Sequence, residues 1–67
     1  MSYSKLRGLI REKFETQAAF SQAMGKHEAT ISKKLTGQAE WTRQEIEKAS
    51  VLLEIPADKI HVYFFTF

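Results

Sequence analysis

The stretch Thr16-Gln-Ala-Ala-Phe-Ser-Gln-Ala-Met-Gly-Lys-His-Glu-Ala-Thr-Ile-Ser-Lys-Lys-Leu-Thr-Gly37 decides the fold of this chain. Its first part has the pattern of a short helix: Thr16 is a helix-capping residue type, and apolar residues follow at helical spacing at Ala19, Phe20, Ala23 and Met24. Gly25 then supplies a residue that readily takes the left-handed backbone conformation in which helices end. The pattern therefore predicts a helix that begins after Thr16 and ends at Gly25.

A second short helix follows directly and is predicted to end at Gly37. Its apolar stripe is thin, because between residues 28 and 35 only Ala29, Ile31 and Leu35 are apolar. The major groove of B-DNA is about as wide as an α-helix, so a polar helix held at a fixed angle by its predecessor fits it. Residues of about 17–36 therefore predict a helix-turn-helix, with a helical hairpin that has two solvated faces as the alternative.

Individual residues of this stretch match a known family. It resembles the Cro and C1-type phage repressors at Gln17, Phe20, Ser21, Met24, Gly25, Ile31 and Leu35-Thr36-Gly37. The resemblance implies an all-α, lambda-repressor-like helix-turn-helix domain of four to five helices that binds DNA. Two positions depart from the family pattern. His27 stands where a Ser or Thr cap is usual, and Lys34 stands at a commonly apolar position beside Leu35.

A second resemblance covers nearly the whole chain. The chain is similar to small early-lysis proteins of phages of Gram-positive bacteria, which include Cro-like and modulator-of-repression proteins. The residues that carry the likeness are Tyr3-Ser4-Lys5-Leu6-Arg7-Gly8, Ser32-Lys33-Lys34-Leu35, Trp41 and Tyr63-Phe64-Phe65.

Composition limits the classes of protein that this chain can represent. At 67 residues it forms one domain, residues 1–67, with a core so small that self-association as a homodimer would add useful buried area. It has no cysteine, no apolar run long enough to cross a membrane and no hydrophobic signal segment. We therefore expect no membrane association, and a place in the cytoplasm of the bacterial host, on the nucleoid when the protein is bound to DNA.

Enzyme chemistry is not expected from this set of residues. The two histidines, His27 and His61, lie far apart, and the sequence has neither a metalloprotease spacing nor a glycine loop that would hold phosphates. We therefore expect no catalytic residues, no metal site and no cofactor.

Charge is distributed unevenly along the chain. Residues 1–34 hold seven Lys or Arg against three Glu, whereas acidic residues outnumber basic ones in residues 35–67. The basic half contains the predicted helix-turn-helix, and a basic face attracts the DNA backbone and releases its counterions. An ordinary solvated helix surface accounts for the charges equally well.

Three further segments have recognisable patterns. Residues 4–14 are predicted to form a first helix, in which Gly8 permits close approach of another helix. Thr42 and Glu45 form a capping-box pattern for a helix after Trp41, which is predicted to pack on Ile46. Pro56 ends that helix, and a short turn is expected over residues 57–60.

The last seven residues, His61-Val-Tyr-Phe-Phe-Thr-Phe67, are β-branched and aromatic, which predicts a short extended aromatic segment at the C-terminus. This segment either packs on the core, pairs with a second copy or docks on another protein. We place Phe64 in the core and assign Tyr63, Phe65 and Phe67 to a surface for self-association or a partner.

The resemblance and the geometry of the DNA major groove together predict which residues would contact DNA. The predicted base-reading residues are Glu28, Ala29, Thr30, Ser32 and Lys33. The predicted backbone contacts are Gln17, Lys26, His27, Lys34, Thr36 and Gln38.

Two functions follow from these patterns. The favoured one is a Cro-like transcriptional repressor that dimerises on double-stranded operator DNA in a phage lysis/lysogeny switch. The alternative is a modulator, or anti-repressor, that binds a phage lysogeny repressor protein. The exposed Glu28, the modest net charge of +2 and the aromatic tail each favour the alternative.

Overall fold

Helices account for nearly all of the regular structure. The computed structural model describes residues 3–65. Within them, α1 spans Ser4–Phe14, α2 Gln17–Met24, α3 Glu28–Leu35, α4 Arg43–Leu52 and α5 Ile60–Phe64, and a 3₁₀ turn, Ala57–Lys59, precedes α5. These residues contain no strand. The prediction of a small all-α domain of four to five helices is confirmed at this level.

Every helix contributes to a single core. The buried apolar side chains are Leu6 and Ile10 of α1, Phe20 and Met24 of α2, Ile31 and Leu35 of α3, Ala49 of α4, Leu53 and Ile55 after it, and Phe64 of α5. The rings of Phe14 and Phe20 meet edge-to-face with centroids 5.5 Å apart, which joins α1 to α2. The core therefore depends on packing between short helices, none of which would be stable alone.

The ends of α2 form as the sequence predicts. The Thr16 hydroxyl accepts a hydrogen bond from the Ala19 N–H at 3.1 Å. Gly25 has a φ of +73°, and the next N–H, that of Lys26, donates to the Ser21 carbonyl at 3.1 Å, which gives the Schellman pattern of helix termination. Only residues 25–27 separate α2 from α3, so the backbone of this turn fixes the angle between the two helices.

The start of α4 also forms as predicted. The Glu45 N–H donates to the Thr42 hydroxyl at 3.2 Å, and the Thr42 N–H donates to Glu45 Oε1 at 2.9 Å, which completes the capping box. Trp41, just before the cap, is half-buried and lies edge-to-face against Phe64 with centroids 5.2 Å apart. The indole therefore links the start of α4 to α5.

The prediction of an extended C-terminal segment is wrong for the described part of that segment. After Pro56 and the 3₁₀ turn, residues 60–64 are α-helical, and the Phe65 N–H donates to the His61 carbonyl at 3.0 Å. A helix satisfies its own backbone groups, whereas a short strand needs a neighbouring strand, and none is present among residues 3–65. Thr66 and Phe67 lie outside the described residues.

Two smaller predictions about packing are also wrong. Ala29 is exposed rather than part of the buried stripe of α3, because the inward positions of that helix are Ile31, Lys34 and Leu35. Gly8 lies on the exposed side of α1, and a Cβ built at this residue would meet no heavy atom within 4 Å. Within the described part of the chain, no other helix comes within 4 Å of such a Cβ at Gly8.

Candidate functional site

The exposed face of α3 carries most of the predicted base-reading residues. Glu28, Ala29 and Lys33 are exposed, and Thr30 and Ser32 are half-buried. Residues 28, 29, 32 and 33 share one side of the helix by the spacing of a helical turn. The structure thus brings these four positions onto one surface, in which Glu28 and Lys33 supply opposite charges.

Lys34 occupies a different environment from the one predicted. Its residue is only 7% exposed, its Nζ lies 2.9 Å from Glu45 Oε1, and it also donates to the Glu40 carbonyl at 2.8 Å. This amine is directed into the contact between α3 and α4 rather than towards solvent. The structure therefore gives Lys34 a structural role in place of the predicted contact with a DNA phosphate.

Glu45 is the centre of this polar cluster. Besides Lys34, its carboxylate contacts Lys26, whose Nζ lies 3.5 Å from Oε2. Burial opposes ionisation of Glu45, but hydrogen bonds from Thr42 and the Lys34 ammonium outweigh it and lower the pKa of Glu45 to about 2. One ionised carboxylate thus ties together the turn before α3, the end of α3 and the start of α4.

The other predicted backbone contacts are spread over several elements. His27, at the N-cap of α3, is exposed and makes no side-chain capping bond, and Lys26 and His27 line a cleft of about 480 Å³ with Gln22, Gly25 and Thr30. Thr36 and Gln38 are exposed after α3, and the Thr36 hydroxyl donates back to the Ser32 carbonyl at 3.0 Å. Gln17 is half-buried at the start of α2, on a different cleft.

That second cleft was not predicted from the sequence. It has a volume of about 600 Å³ and lies between α1 and the start of α2, where Arg7, Gly8 and Arg11 line its α1 side. Buried Ile10 and Leu35 lie at its floor. The signal in the sequence was the helical spacing of residues 4, 7, 8 and 11, which places them on one side of α1.

Among the C-terminal aromatic residues, Phe64 lies in the core as predicted, whereas the assignment of Tyr63 and Phe65 to a partner surface stays a prediction. Phe64 is buried, Tyr63 is half-buried, and Phe65 is 59% exposed. Phe67 lies outside the described residues. Val51, near the end of α4, is 78% exposed. Phe65 and Val51 are thus apolar side chains that the fold leaves in contact with solvent.

Residues 3–65 lack two other kinds of site. Residues 3–65 contain no group of three or more His, Cys, Asp or Glu side chains placed to hold a metal ion. In the same range, no helix is both long and apolar enough to cross a membrane.

These features define a small all-α domain with a polar helix face, a basic cleft and exposed apolar side chains, all accessible to a macromolecule. The chain belongs to the family described as protein of unknown function (DUF739), whose model matches residues 1–66. Among solved structures it is similar to the solution structure of the modulator of repression (MOR) of the temperate bacteriophage TP901-1 from Lactococcus lactis. The two sequences are 45% identical, the match covers 97% of this chain and 88% of the other, and the TM-score is 0.85. No curated protein matches the sequence.

Proposed function

We propose that this protein is a modulator of repression that binds a phage lysogeny repressor protein and so changes the repressor's control of transcription. The observation that carries the proposal is the match to the phage modulator of repression, at 45% identity over 97% of this chain. A match of this extent includes both the core and the surface. It therefore favours the alternative of the two functions that the sequence predicts.

The charges on α3 support a protein partner over an operator. Of the two lysines of this helix, Lys34 is used in the ion pair with Glu45, so only Lys33 offers a solvent-exposed cation. Glu28 is exposed at the end of the helix that would enter the groove. Because DNA affinity depends largely on cations placed near phosphates, this balance predicts weak binding of DNA by this chain alone.

Exposed apolar side chains also support a protein partner. Aromatic residues are enriched in the centres of protein interfaces, where truncating one often costs more than 1 kcal/mol of binding free energy. Phe65 is 59% exposed, directly after Phe64, which anchors α5 in the core. A partner that covers Phe65 and half-buried Tyr63 would remove apolar surface from water, and α5 would hold both side chains in place for it.

A Cro-like repressor remains the second candidate because of the arrangement of α2 and α3. We interpret these helices and the three-residue turn at Gly25 as a helix-turn-helix, with residues 28, 29, 32 and 33 on the outer side of the second helix. The basic balance of residues 1–34 adds to this interpretation. In this case the predicted base-reading residues would contact an operator and a homodimer would hold two half-sites.

The two functions are separated by mixing this protein with the lysogeny repressor of the same phage and with its operator DNA. We expect light scattering after size exclusion to show a complex of the two proteins, and gel shifts to show altered operator binding by the repressor. This protein alone should leave the operator unshifted. A sequence-specific shift with this protein alone, together with a dimeric mass in solution and no complex with the repressor, would instead establish the Cro-like function.

A further inference from the structure

The cleft between α1 and the start of α2 is lined by two arginines and a glycine of α1. We propose that it receives an acidic segment of the repressor protein: Gly8 lets the segment's backbone approach α1, and Arg7 and Arg11 bind its carboxylates. This inference rests on the proposed function, because it assigns part of the contact with the repressor. It concerns a surface separate from the aromatic side chains of α5.

Gly8 is the first observation that supports this assignment. Glycine inside a helix lowers helix stability relative to alanine, by about 1 kcal/mol at an exposed interior site. Its lack of a side chain lets another backbone come close to the helix at this point. Among residues 3–65 nothing outside its own helix does, since a Cβ at Gly8 would meet no heavy atom there within 4 Å. The space is therefore available to a second molecule.

The two arginines are the second observation. Arg7 and Arg11 lie one helical turn apart on the cleft, both are exposed, and neither forms a salt bridge within residues 3–65. In contrast, Glu45, Glu47 and Glu54 are each paired with a cation of their own chain. Guanidinium groups bind carboxylates through two parallel hydrogen bonds, and their spacing of about 5–6 Å along a helix suits two acidic residues of one segment.

The remaining lining favours a protein segment over a DNA backbone. Glu15 lies on the same cleft, where its carboxylate would repel phosphates and acidic side chains alike, so the acidic residues of the segment are expected at Arg7 and Arg11 and away from Glu15. The floor is apolar, formed by Ile10 and Leu35. A segment that alternates acidic and apolar side chains meets both features, whereas a phosphate chain offers nothing to the floor.

Solution NMR with the full-length protein tests where the repressor binds. The chain has three glycines, so the amide signals of Gly8, Gly25 and Gly37 can each be followed in a ¹⁵N-labelled sample. Addition of the purified lysogeny repressor of the same phage should shift or broaden the Gly8 signal more than the other two. A parallel titration uses a 20-base-pair duplex of scrambled sequence.

Variants then separate binding from stability. Gly8→Ala should raise the melting temperature by about 4–8 °C, since it removes a helix-destabilising residue, and yet weaken repressor binding at least tenfold. The double variant R7E/R11E should weaken repressor binding at least a hundredfold. The matched control is R43E/K48E on α4, which changes net charge equally. Its affinity for the repressor should stay within threefold of that of the wild-type protein.

Each result has a distinct meaning. If the wild-type protein binds the repressor and both Gly8→Ala and R7E/R11E bind it equally well, this inference is overturned and the proposed function stands. Absence of repressor binding by the wild-type protein overturns both. If the duplex instead perturbs Gly8 and R7E/R11E abolishes that effect, the cleft is a phosphate site and the acidic segment is excluded.

Discussion

At the residue scale, the Lys34–Glu45 ion pair shows why a single buried charge determines local packing. Both groups are almost fully removed from solvent, so each depends on the other for stabilisation of its charge. The sequence contained one indication of this, because the resemblance to Cro and C1-type repressors implies an apolar residue at the position of Lys34. It did not show that Glu45 would lie opposite, since that contact arises only when the fold brings the start of α4 to the end of α3.

Replacing Lys34 by Ala should destabilise the fold strongly. The variant leaves the Glu45 carboxylate buried without its closest cation, and loss of one partner of a buried pair costs about 3–5 kcal/mol. The neighbouring Lys33→Ala variant, at an exposed site, should stay within about 0.5 kcal/mol of wild type. Urea denaturation of both proteins measures the difference, and equal free energies of unfolding would show that Lys34 does not have the buried role described.

Acid should remove the contribution of Glu45 at an unusually low pH. Its pKa is lowered from 4.5 to about 2, so the ionised carboxylate stabilises the folded state above pH 4.5 and this stabilisation disappears as the pH falls towards 2. The amount is on the order of 3 kcal/mol, since one pKa unit corresponds to about 1.4 kcal/mol. We expect the stability gap between wild type and Glu45→Gln to shrink over that pH range.

The matched control for this titration is Glu47→Gln. Among residues 3–65, Glu47 pairs only with Arg43, in an exposed contact at 3.4 Å. Exposed pairs contribute little, so its stability curve should run parallel to that of wild type between pH 5 and pH 2 within about 0.5 kcal/mol. A gap of the same size and pH dependence for both variants would place the effect in net charge rather than in the buried cluster.

At the scale of secondary-structure elements, the sequence predicts correctly those helix ends that depend on interactions between neighbouring residues. The Thr16 cap, the Gly25 terminus and the Thr42–Glu45 box each act within a few residues, and each formed as expected. The prediction of an extended C-terminal segment is wrong because it follows from β-branched and aromatic composition, which suits a strand. It does not include the packing of Phe64 against Trp41, which favours a helix. The cleft at Gly8 could not be found by pattern alone, because its open side depends on where α2 and α3 lie.

Adjacent aromatic substitutions test the helical form of the C-terminal segment. Phe64→Ala should lower the free energy of unfolding by about 3–5 kcal/mol, because Phe64 is fully buried against Trp41. Phe65→Ala should change it by less than about 1 kcal/mol, since its ring is exposed. Thermal unfolding measures both, and similar losses for Tyr63→Ala and Phe65→Ala with none for Phe64→Ala would indicate a strand instead.

Substitution of Gly25, in the turn between α2 and α3, should destabilise the fold because of its backbone conformation. A Cβ there meets nothing closer than Lys48 Nζ at 3.9 Å, so steric overlap is absent and the cost comes from the φ of +73°. A non-glycine residue in this left-handed conformation costs roughly 1–2 kcal/mol. Gly25→Ala should therefore lose stability in urea denaturation, while Gly25→Asn, which tolerates this conformation better, should recover part of the loss.

At the scale of the whole molecule, a chain of 67 residues is expected to have a small free energy of unfolding. Small domains bury a low fraction of their surface, and the core has ten buried apolar side chains among residues 3–65. Any ligand that binds only the folded state raises its stability in proportion to the logarithm of its concentration over Kd. Stability of this protein is therefore a sensitive measure of which partner it recognises.

The repressor, rather than DNA, should protect this protein against thermal unfolding. At a free repressor concentration of 100 times Kd the gain is about 2.7 kcal/mol, which raises the melting temperature of a domain of this size by roughly 10–20 °C. Trp41 is the sole tryptophan of the chain, so ¹⁹F NMR of 5-fluorotryptophan at this position follows unfolding of this protein alone in the mixture. Operator DNA at the same concentration should shift the melting temperature by less than about 2 °C at physiological salt, because non-specific binding is weak there. The reverse ranking, with protection by operator DNA, loss of that protection with a scrambled duplex and no effect of the repressor, would assign the protein to the Cro-like repressors.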